Sequence, residues 1–355
     1  MSQVAGIDDA GLAQKIALLA RPDTHQAGET AVETVETHMS LLFFAGDVVY
    51  KLKKPVTYDF LDFGTPAARR HACREELRLN RRLADGVYLG LSAITREADG
   101  TLALDGRGEP VDWLVRMRRL PADRTLEAAI ARGEVAADEI AALAARLCAF
   151  YAGAERSAVD ADAYVAQLRR EHAANCAQLA GEAGPEGDAL LAEVQRFLDA
   201  DDGLLRDRVA AGRIVDGHGD LRPEHVWLNT PPVVIDCLEF NARLRQVDPF
   251  DEVAYLGMEC ARLGAPWIGP RLLAALSAAL GDQPPPRLLR FYVRYRACVR
   301  ARLALAHLAE PSPRDPQRWP LLARAYLRVG AAFDPLAEAA ATPPESARCQ
   351  ALQHG

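Results

Sequence analysis

A short interruption in a long helical sequence constrains the fold of this chain more than any other feature. The chain beyond residue 121 is rich in alanine and leucine at helical spacing, but residues 213–240 break that pattern. Within this interruption, residues 226–228 and 233–235 are apolar and predict two short strands separated by the turn-forming string NTPP. Because this segment differs from the helices around it, we expect the functional site at the ends of these two strands.

Two aspartates flank this strand pair. Asp220 lies in the string HGDLRPEH at 218–225, before the first strand, and Asp236 directly follows the second, sixteen residues after Asp220. Carboxylates at the edges of short strands can converge at one end of a small sheet. Phosphoryl transfer needs one carboxylate near the attacking hydroxyl and another that holds Mg²⁺ against the phosphates, so the pair is typical of that chemistry.

The rest of the chain divides into a β-rich start and a helical remainder. The early part predicts a helix, a β-hairpin around Ala45-Gly46-Asp47, a helix that begins at Thr65-Pro66 and two more strands, at residues 10–20, 35–53, 65–84, 89–95 and 113–117. The later part predicts helices near 125–132, 137–156, 160–181, 187–200, 252–263, 270–280, 286–309 and 318–331.

Composition excludes some classes of protein. The chain has 42 basic and 49 acidic residues, a net charge of −7, and no basic tract, so we expect no nucleic-acid partner. It has no apolar run long enough to span a bilayer, so we also expect no membrane partner. Asp8 and Asp9 stand where a secretory signal needs a cationic start and an apolar run, which favours a cytoplasmic location. Only four basic residues are lysines, and three of them lie within residues 51–54.

These motifs together resemble the aminoglycoside phosphotransferase family within the protein-kinase-like superfold. HGDLRPEH is similar to the kinase catalytic loop HRDLKPEN at five of eight positions, and VVYK at 48–51 stands where such kinases have VAIK. The resemblance covers roughly residues 30–310. It implies an α+β, two-lobed fold with a small β-rich N-terminal lobe and a larger, mostly helical C-terminal lobe.

The resemblance also implies boundaries and an activity. The expected divisions are a nucleotide-binding lobe with an N-terminal helical extension, a hinge, a helical catalytic and substrate lobe, and a C-terminal helix with a partly disordered tail, at residues 1–117, 118–121, 122–310 and 311–355. The expected activity is transfer of the γ-phosphoryl group of ATP, with Mg²⁺, to a hydroxyl of a small molecule. The oligomeric state is left open.

Catalytic and nucleotide-binding roles follow from the same resemblance. Asp220 would be the base that orients the acceptor hydroxyl, and Arg222 would neutralise charge on the transferring phosphate. Lys51 would contact the α- and β-phosphates and be held by Glu76, with Glu75 as the near rival. Adenine would be held by backbone groups of the segment 115–120, with Val115, Met117 and Arg118 as the named contacts.

Metal-binding and supporting roles are implied as well. Asp236 would be the main Mg²⁺ ligand. His225 stands where the family usually has asparagine, and Mg²⁺ prefers oxygen to an imidazole nitrogen, so metal binding and a purely structural hydrogen bond both stay open for it. Glu239, three residues after Asp236, brings another oxygen to the same neighbourhood. His218 and Asp251 would support the catalytic loop by hydrogen bonds.

Some features depart from the family pattern. No glycine-rich GxGxxG precedes the lysine strand, and the DFG string at 62–64 precedes the catalytic loop, so we interpret it as a turn before Thr65. Lys53 and Lys54 are interpreted as solvated edge-strand charges. The His225 replacement favours an alternative reading, a nucleotide-binding regulator without catalysis. A protein kinase is a further alternative, disfavoured because HGD replaces HRD and no APE-like string follows.

The predicted helix at 286–309 bears on the acceptor. It places Arg290 and Arg294 on one face and Arg296 and Arg300 on another. One interpretation is a solvated face. The other is that part of the helix lines the acceptor pocket and favours an anionic or polyhydroxyl substrate over a polycationic aminoglycoside.

Overall fold

The structure, a computed structural model, describes residues 9–25, 31–58, 61–309 and 315–337. It divides into two units: residues 1–122 with 233–244, and residues 123–232 with 245–355. The segment 233–244, which the sequence analysis grouped with the helical lobe, thus belongs to the first unit. The predicted tail beyond residue 337 lies outside the described residues.

The first unit is built on a six-stranded antiparallel sheet in the order β1-β2-β3-β8-β6-β7. Two helices, α1 and α2, accompany it, and two short strands, β4 and β5, pair with each other. Their bounds are α1 Asp9–Leu19, β1 Val32–Glu36, β2 Ser40–Ala45, β3 Val48–Lys53, β4 Thr57–Tyr58, β5 Leu61–Asp62, α2 Pro66–Asn80, β6 Tyr88–Arg96, β7 Leu102–Leu104 and β8 Glu109–Arg118.

The hairpin of β2 and β3 shows how the sequence sets the two faces of this sheet. Gly46 takes a positive φ of 54° at the turn, which glycine adopts without steric cost. Along β3, Tyr50 and Leu52 enter a core cluster that also includes Phe43 of β2. Because side chains alternate along a strand, Lys51 and Lys53 share the opposite face. The predicted hairpin is therefore confirmed.

Helix α2 begins as the sequence predicts. The hydroxyl of Thr65 accepts a hydrogen bond from the backbone N–H of Ala68, and Pro66 occupies the first turn. The helix ends at Asn80, short of the predicted residue 84. The DFG string begins at the last residue of β5 and continues into a bend before Thr65, in which Asp62 Oδ1 accepts the N–H of Gly64 at 2.8 Å.

The second unit is mostly helical. Every helix predicted beyond residue 121 is present, and a further one, α7, was missed because its eight residues are too few for a clear helical period. Their bounds are α3 Leu126–Arg132, α4 Ala137–Gly153, α5 Ala161–Leu179, α6 Gly184–Ala200, α7 Gly203–Ala210, α8 Pro249–Arg262, α9 Ile268–Leu280, α10 Pro286–Ala306 and α11 Arg318–Ala332. The predicted α+β class is confirmed.

Four short strands accompany these helices along the chain: β9 Val215–Asp216, β10 Val226–Trp227, β11 Val233–Val234 and β12 Gln246–Val247. Strand β11 belongs to the first unit and the other three to the second. Within the second unit, β9 pairs with β12 in antiparallel register. This pair leads into the string HGDLRPEH on one side and into α8 on the other.

Helix α8 lies entirely inside the second unit. Asp248 caps its start by accepting the N–H of Phe250 at 2.9 Å, and the following twelve residues, Pro249 to Cys260, are all buried. It nevertheless carries Glu252, Tyr255 and Glu259 at spacings of three and four, which places them on one face. A buried helix with such a polar face must satisfy those groups internally.

No helix among the described residues is long and apolar enough to cross a membrane.

Candidate active site

A group of charged side chains lies on the lysine face of the first unit. Lys51 Nζ is 2.9 Å from Oε1 of Glu76 and 2.8 Å from Oδ1 of Asp236. Glu76 is completely buried, whereas Glu75 is partly exposed and pairs with Arg78 on the helix surface at 2.8 Å. The structure therefore brings Lys51, Glu76 and Asp236 together and leaves Glu75 apart.

Lys53 belongs to the same group, so its interpretation as a solvated charge is wrong. Only 1% of its side chain is exposed. Its Nζ is 2.6 Å from Oε2 of Glu76, contacts Oε1 of Glu239, and lies 4.9 Å from the centre of the Phe63 ring. The strand period places Lys53 on the face of Lys51, and α2 covers that face. Lys54, on the opposite face, pairs with Glu36 at the end of β1.

Asp236 has an unusual backbone conformation. Its φ is +65°, a region that residues with a side chain seldom adopt. Two hydrogen bonds hold this conformation: its own N–H donates to the Tyr88 hydroxyl at 3.3 Å, and the N–H of Cys237 donates to Oδ1 of Asn80 at 2.9 Å. Such strain persists only where the surroundings fix it, and it clusters at functional positions. Asn80 and Tyr88 were not predicted from sequence.

The charges in this group stabilise one another. Burial by itself would lower the pKa of the Lys51 ammonium, but the neighbouring carboxylates, Asp236 foremost, hold that pKa well above its usual value. Burial by itself would raise the pKa of Glu76, but the ammonium groups of Lys51 and Lys53 outweigh burial and lower it. Lys51 and Glu76 are therefore both ionised at neutral pH.

The catalytic-loop string lies in the second unit and is held by Glu252. This buried carboxylate accepts the N–H of His218 at 2.9 Å, the N–H of Gly219, and the hydroxyl of Tyr151 at 2.9 Å. Because these donors are neutral, burial dominates and raises the pKa of Glu252. Sequence analysis missed Glu252, although its place on the polar face of α8 was a usable signal.

Asp251, which was predicted to brace the loop, has a different partner. Its two oxygens accept from Nε and Nη2 of Arg296 at 2.8 and 2.6 Å, a bidentate pair between α8 and α10. Adjacent helical residues point about 100° apart, and packing turned Glu252 rather than Asp251 toward the loop. Asp251 supports α10, and the hydrogen bonds to the loop described above are accepted by its neighbour Glu252.

Asp220 is oriented from two sides. The Tyr255 hydroxyl donates to Oδ1 at 3.1 Å, and Arg222 Nε donates to Oδ2 at 3.0 Å. Its backbone N–H donates to Nδ1 of His218 at 3.3 Å, so His218 lies where support of the loop was expected. Burial would raise the pKa of Asp220, but Arg222 and the other cations around it outweigh burial and lower it. Asp220 is thus an ionised, positioned carboxylate.

Of the three predicted metal ligands, Asp236 has the chemistry that suits Mg²⁺, because it is a carboxylate with 47% of its side chain exposed. His225 donates from Nδ1 to the carbonyl oxygen of Asp220 at 2.8 Å, and its Nε2 lies 3.3 Å from Arg222 Nη2. Glu239 is 9% exposed and contacts Lys53. Within the described ranges, no three His, Cys, Asp or Glu side chains form a group that could hold a metal ion by themselves.

The residues predicted to contact adenine lie in a central strand. Val115, Met117 and Arg118 belong to β8, which has β3 on one side and β6 on the other. Val115 is opposite Lys51 on one side and Leu91 on the other. The N–H of Arg118 donates to the carbonyl of Val87 at 2.8 Å. Backbone groups of β8 are therefore engaged in the sheet.

The four arginines named on α10 each pair with a carboxylate. Arg296 pairs with Asp251, and Arg300 Nε lies 3.0 Å from Oε1 of Glu259, which is 1% exposed. Arg290 and Arg294 form more exposed pairs, at 3.2 and 3.1 Å, with Asp334 and Glu193. Each of these arginines has an acidic partner, so the helix does not add unbalanced positive charge for an anionic acceptor.

Some known proteins have a sequence or a fold similar to that of this chain. No family model matches the chain. The chain is similar to uncharacterized proteins of Mycobacterium bovis and of two Mycobacterium tuberculosis strains, each 34% identical over 292 residues. The alignments cover 80% of this chain and 57% of each mycobacterial protein. The chain therefore spans little more than half the length of these curated relatives.

Solved structures with a similar fold are phosphotransferases and kinases. A GDP complex of a variant of aminoglycoside 2'-phosphotransferase-IIIa has a TM-score of 0.50 and 17% identity, and the match covers 90% of this chain and 96% of that one. Spectinomycin phosphotransferase in complex with ADP and spectinomycin has a TM-score of 0.49 and 10% identity, with 87% and 94% covered. A choline/ethanolamine kinase family protein of Mesorhizobium loti has a TM-score of 0.48 and 17% identity, with 92% and 96% covered.

The first of these likenesses shows that the chain has the protein-kinase-like fold of the aminoglycoside phosphotransferases. The fold predicted from HGDLRPEH and the lysine strand is thereby confirmed.

Proposed function

We propose that this chain belongs to the aminoglycoside phosphotransferase family and transfers the γ-phosphoryl group of ATP, with Mg²⁺, to a hydroxyl of a small molecule. The observation that carries the proposal is the contact of one lysine, Lys51, with both Glu76 and Asp236 at 2.9 and 2.8 Å. Phosphotransferases of this fold need a fixed cation for the phosphates and a carboxylate for the metal. The two are adjacent here within the first unit, Lys51 on β3 and Asp236 in the segment after β11.

In this proposal Lys51 binds the α- and β-phosphates while Glu76 holds its ammonium in place. Asp236, with Lys51 next to it, is the carboxylate that holds Mg²⁺, and bound Mg²⁺ supplies positive charge that polarises the phosphates. Glu239 and His225 are not assigned to the metal, because the first contacts Lys53 and the second contacts Arg222 and the backbone of Asp220. The segment 118–121, which begins at the last residue of β8, is proposed as the hinge and as the place of the purine base.

Asp220 is the proposed base. The acceptor hydroxyl donates its hydrogen bond to the Asp220 carboxylate and transfers its proton there as the acceptor oxygen bonds to the γ-phosphorus. The bond from that phosphorus to the β,γ-bridging oxygen breaks, and ADP leaves with the electron pair. Arg222, which contacts Asp220 and Glu224, keeps a positive charge beside the transferring group. Positioning and electrostatics supply the rate, since the protein forms no covalent bond.

The acceptor is proposed to be a small polyhydroxyl molecule. Asp251 and Glu259 neutralise the two arginines that had favoured an anionic substrate, so the second unit offers hydrogen-bonding groups of both signs rather than an excess of one. Neutral hydroxyl groups can pair with donors and acceptors alike.

The test is a screen of nucleotide consumption with sugars, amino alcohols, nucleosides and aminoglycosides as acceptors, run with ATP and with GTP. We expect Mg²⁺-dependent consumption with at least one acceptor. Asp220→Asn should lower kcat by about 10²–10⁴-fold, the usual contribution of a general base, with little change in nucleotide affinity. Asp236→Asn should weaken Mg²⁺-dependent nucleotide binding.

Three outcomes would contradict the proposal. Undiminished transfer by purified, folded Asp220→Asn would remove the assigned base. Binding of nucleotide by the wild type without consumption of it, across all acceptors, would favour the non-catalytic regulator that the His225 position suggests. Incorporation of phosphate into protein instead of small molecules would identify a protein kinase.

A further inference from the structure

The charged group of the first unit forms a closed ring that extends beyond the lysine and glutamate assigned above. Going round it, Asp236 contacts Lys51, Lys51 contacts Glu76, Glu76 contacts Lys53, and Lys53 contacts Glu239. The backbone closes the ring, because Asp236 and Glu239 are only three residues apart. Positive and negative groups alternate throughout, and the two oxygens of Glu76 meet different ammonium groups, Oε1 that of Lys51 and Oε2 that of Lys53.

Lys53 occupies a special place in this ring. It is 1% exposed and Glu76 is completely buried, so no ligand can reach Lys53 directly. Its ammonium contacts two carboxylates, Glu76 on α2 and Glu239 on the segment that carries Asp236. It therefore joins three parts of the chain: the strand of Lys51, the helix of Glu76 and the segment of Asp236.

We propose that Lys53 is a positioning residue for nucleotide binding: it keeps Glu76 ionised and fixed, so that Lys51 can turn toward the phosphates. This inference rests on the proposed function. When Lys51 shares its donors with a phosphate and Asp236 turns to the metal, Glu76 would become a buried charge with a weakened partner, which is strongly unfavourable. Lys53 stays in contact with Glu76 and prevents this.

Lys53 also determines what Glu239 does. Its contact with Glu239 draws that carboxylate away from metal binding and fixes the backbone next to the strained Asp236. An ammonium suits this place better than a guanidinium, because its three donors can point at separate carboxylates while a guanidinium presents a planar fork. The same reasoning explains why lysine is retained here in a chain with so few lysines.

The experiment compares Lys53→Met, Glu239→Gln and the double variant with the wild type. Lys54→Met is the matched control, because it removes a neighbouring lysine that pairs with Glu36 on the other face. Binding of MgATP is measured by calorimetry, stability by urea unfolding, and kcat and KM for ATP wherever an acceptor is known. The binding and unfolding measurements do not depend on an acceptor.

We expect Lys53→Met to weaken MgATP binding by about 10–100-fold, as removal of groups that orient metal and phosphate ligands usually does. It should also lower stability, because two carboxylates lose a cation. The double variant removes one of those carboxylates, so its urea midpoint should return toward that of the wild type while MgATP binding stays at least about tenfold weaker. Glu239→Gln alone leaves the Lys53–Glu76 contact and should bind within about threefold of the wild type, well short of the loss on removing Lys53.

Recovery of both stability and MgATP affinity in the double variant would overturn the inference, because Lys53 would then only neutralise charge. Wild-type affinity in Lys53→Met would overturn it too, and in both cases the proposed function would stand. Failure of the wild type itself to bind MgATP would overturn the proposed function and this inference with it. If Lys53→Met does not fold, the double variant and Glu239→Gln still decide the question.

Discussion

Two buried glutamates, one in each unit, show how the same side chain acquires opposite properties. Glu76 on α2 and Glu252 on α8 are both completely buried. Glu76 faces two ammonium groups, and its pKa is lowered despite its burial. Glu252 accepts from backbone N–H groups and a tyrosine hydroxyl, and its pKa is raised by burial. The charge of the donors, and not the depth of the side chain, therefore decides the sign of the shift.

The cations near the two glutamates also differ. Near Glu76 they are lysines, each in contact with two carboxylates. Next to Glu252, the Asp251 carboxylate accepts from Nε and Nη2 of a single arginine, Arg296. A compact ammonium can be shared between separate acceptors, while a bidentate guanidinium pair is geometrically fixed. The lysine contacts of the first unit are thus the more adaptable, whereas the Asp251–Arg296 pair of the second unit fixes α8 against α10.

The largest effect is expected for Glu76→Gln. Removing this carboxylate leaves two buried lysines without their common partner, and breaking a buried pair in this way costs about 3–5 kcal/mol of unfolding free energy. Urea unfolding followed by circular dichroism measures it. Glu75→Gln is the matched control, one residue away on the surface, and should change stability by no more than about 0.5 kcal/mol. Equal effects of the two substitutions would contradict the placement of Glu76.

Glu252→Gln should have a smaller effect, because its partners are neutral. The amide keeps one acceptor oxygen but turns an NH₂ group toward the donors of the loop, which we expect to lower the unfolding free energy by about 1–3 kcal/mol. Tyr151→Phe removes only one of the three hydrogen bonds and should lower it by about 0.5–1.5 kcal/mol. Under the proposed function, Glu252→Gln also lowers kcat while MgATP affinity is kept. A loss of affinity with unchanged kcat would disagree with its role at the loop.

The pH dependence of stability should distinguish the two glutamates by sign. Because the folded pKa of Glu76 is lowered, its contribution is present above about pH 4.3, the ordinary value, and is lost as pH falls through the folded pKa. Because the pKa of Glu252 is raised, its contribution is full below about pH 4.3 and is lost as pH rises through the folded pKa.

Unfolding free energies of the wild type and of each Gln variant, measured from pH 3.5 to 7, test this difference. The wild type minus Glu76→Gln difference should grow with pH, and the wild type minus Glu252→Gln difference should shrink, each by at most about 1.4 kcal/mol per pH unit. Slopes of the same sign would contradict the comparison of the two sites.

The smallest effect is expected on the opposite face of the sheet. Glu36→Gln removes the ion pair of Lys54 with a carboxylate that is 51% exposed. Such exposed pairs contribute about 0–1 kcal/mol, so the urea midpoint should hardly move, and added salt should reduce the difference further. A loss of unfolding free energy as large as that of Glu76→Gln would contradict this comparison, because the buried and the exposed lysine contacts would then contribute equally to stability.

Much of the fold was predictable because it depends on local pattern. The hairpin of β2 and β3 followed from strand propensity around Gly46, and the start of α2 followed from Thr65 and Pro66, each of which acts within a few residues. Strands β1 and β7 were missed, because they are short and lie at the edges of the sheet, where pairing more than local sequence stabilises them. The domain boundaries expected from the sequence remain a prediction.

The candidate site was predictable only in part. Lys51, Asp220 and Asp236 stand in recognisable strings, and the structure gives each of them close charged or hydrogen-bonding partners. Glu252 and Tyr255 were missed although their spacing on an otherwise apolar helix marked a polar face. The partner of Lys53 was not predictable in the same way, because Lys53 and Glu239 are 186 residues apart in the chain.

The sequence by itself determined the β2–β3 hairpin and most of the helices, and that Lys51 and Lys53 share one face of β3, because these depend on the periods of two and 3.6 residues. Only the tertiary structure decided between Glu75 and Glu76, and between Asp251 and Glu252. Neighbours on a helix have the same local sequence but point in different directions, and packing against the rest of the unit selects the one that is buried. Burial then turns an ordinary glutamate into the partner of two lysines or of a loop.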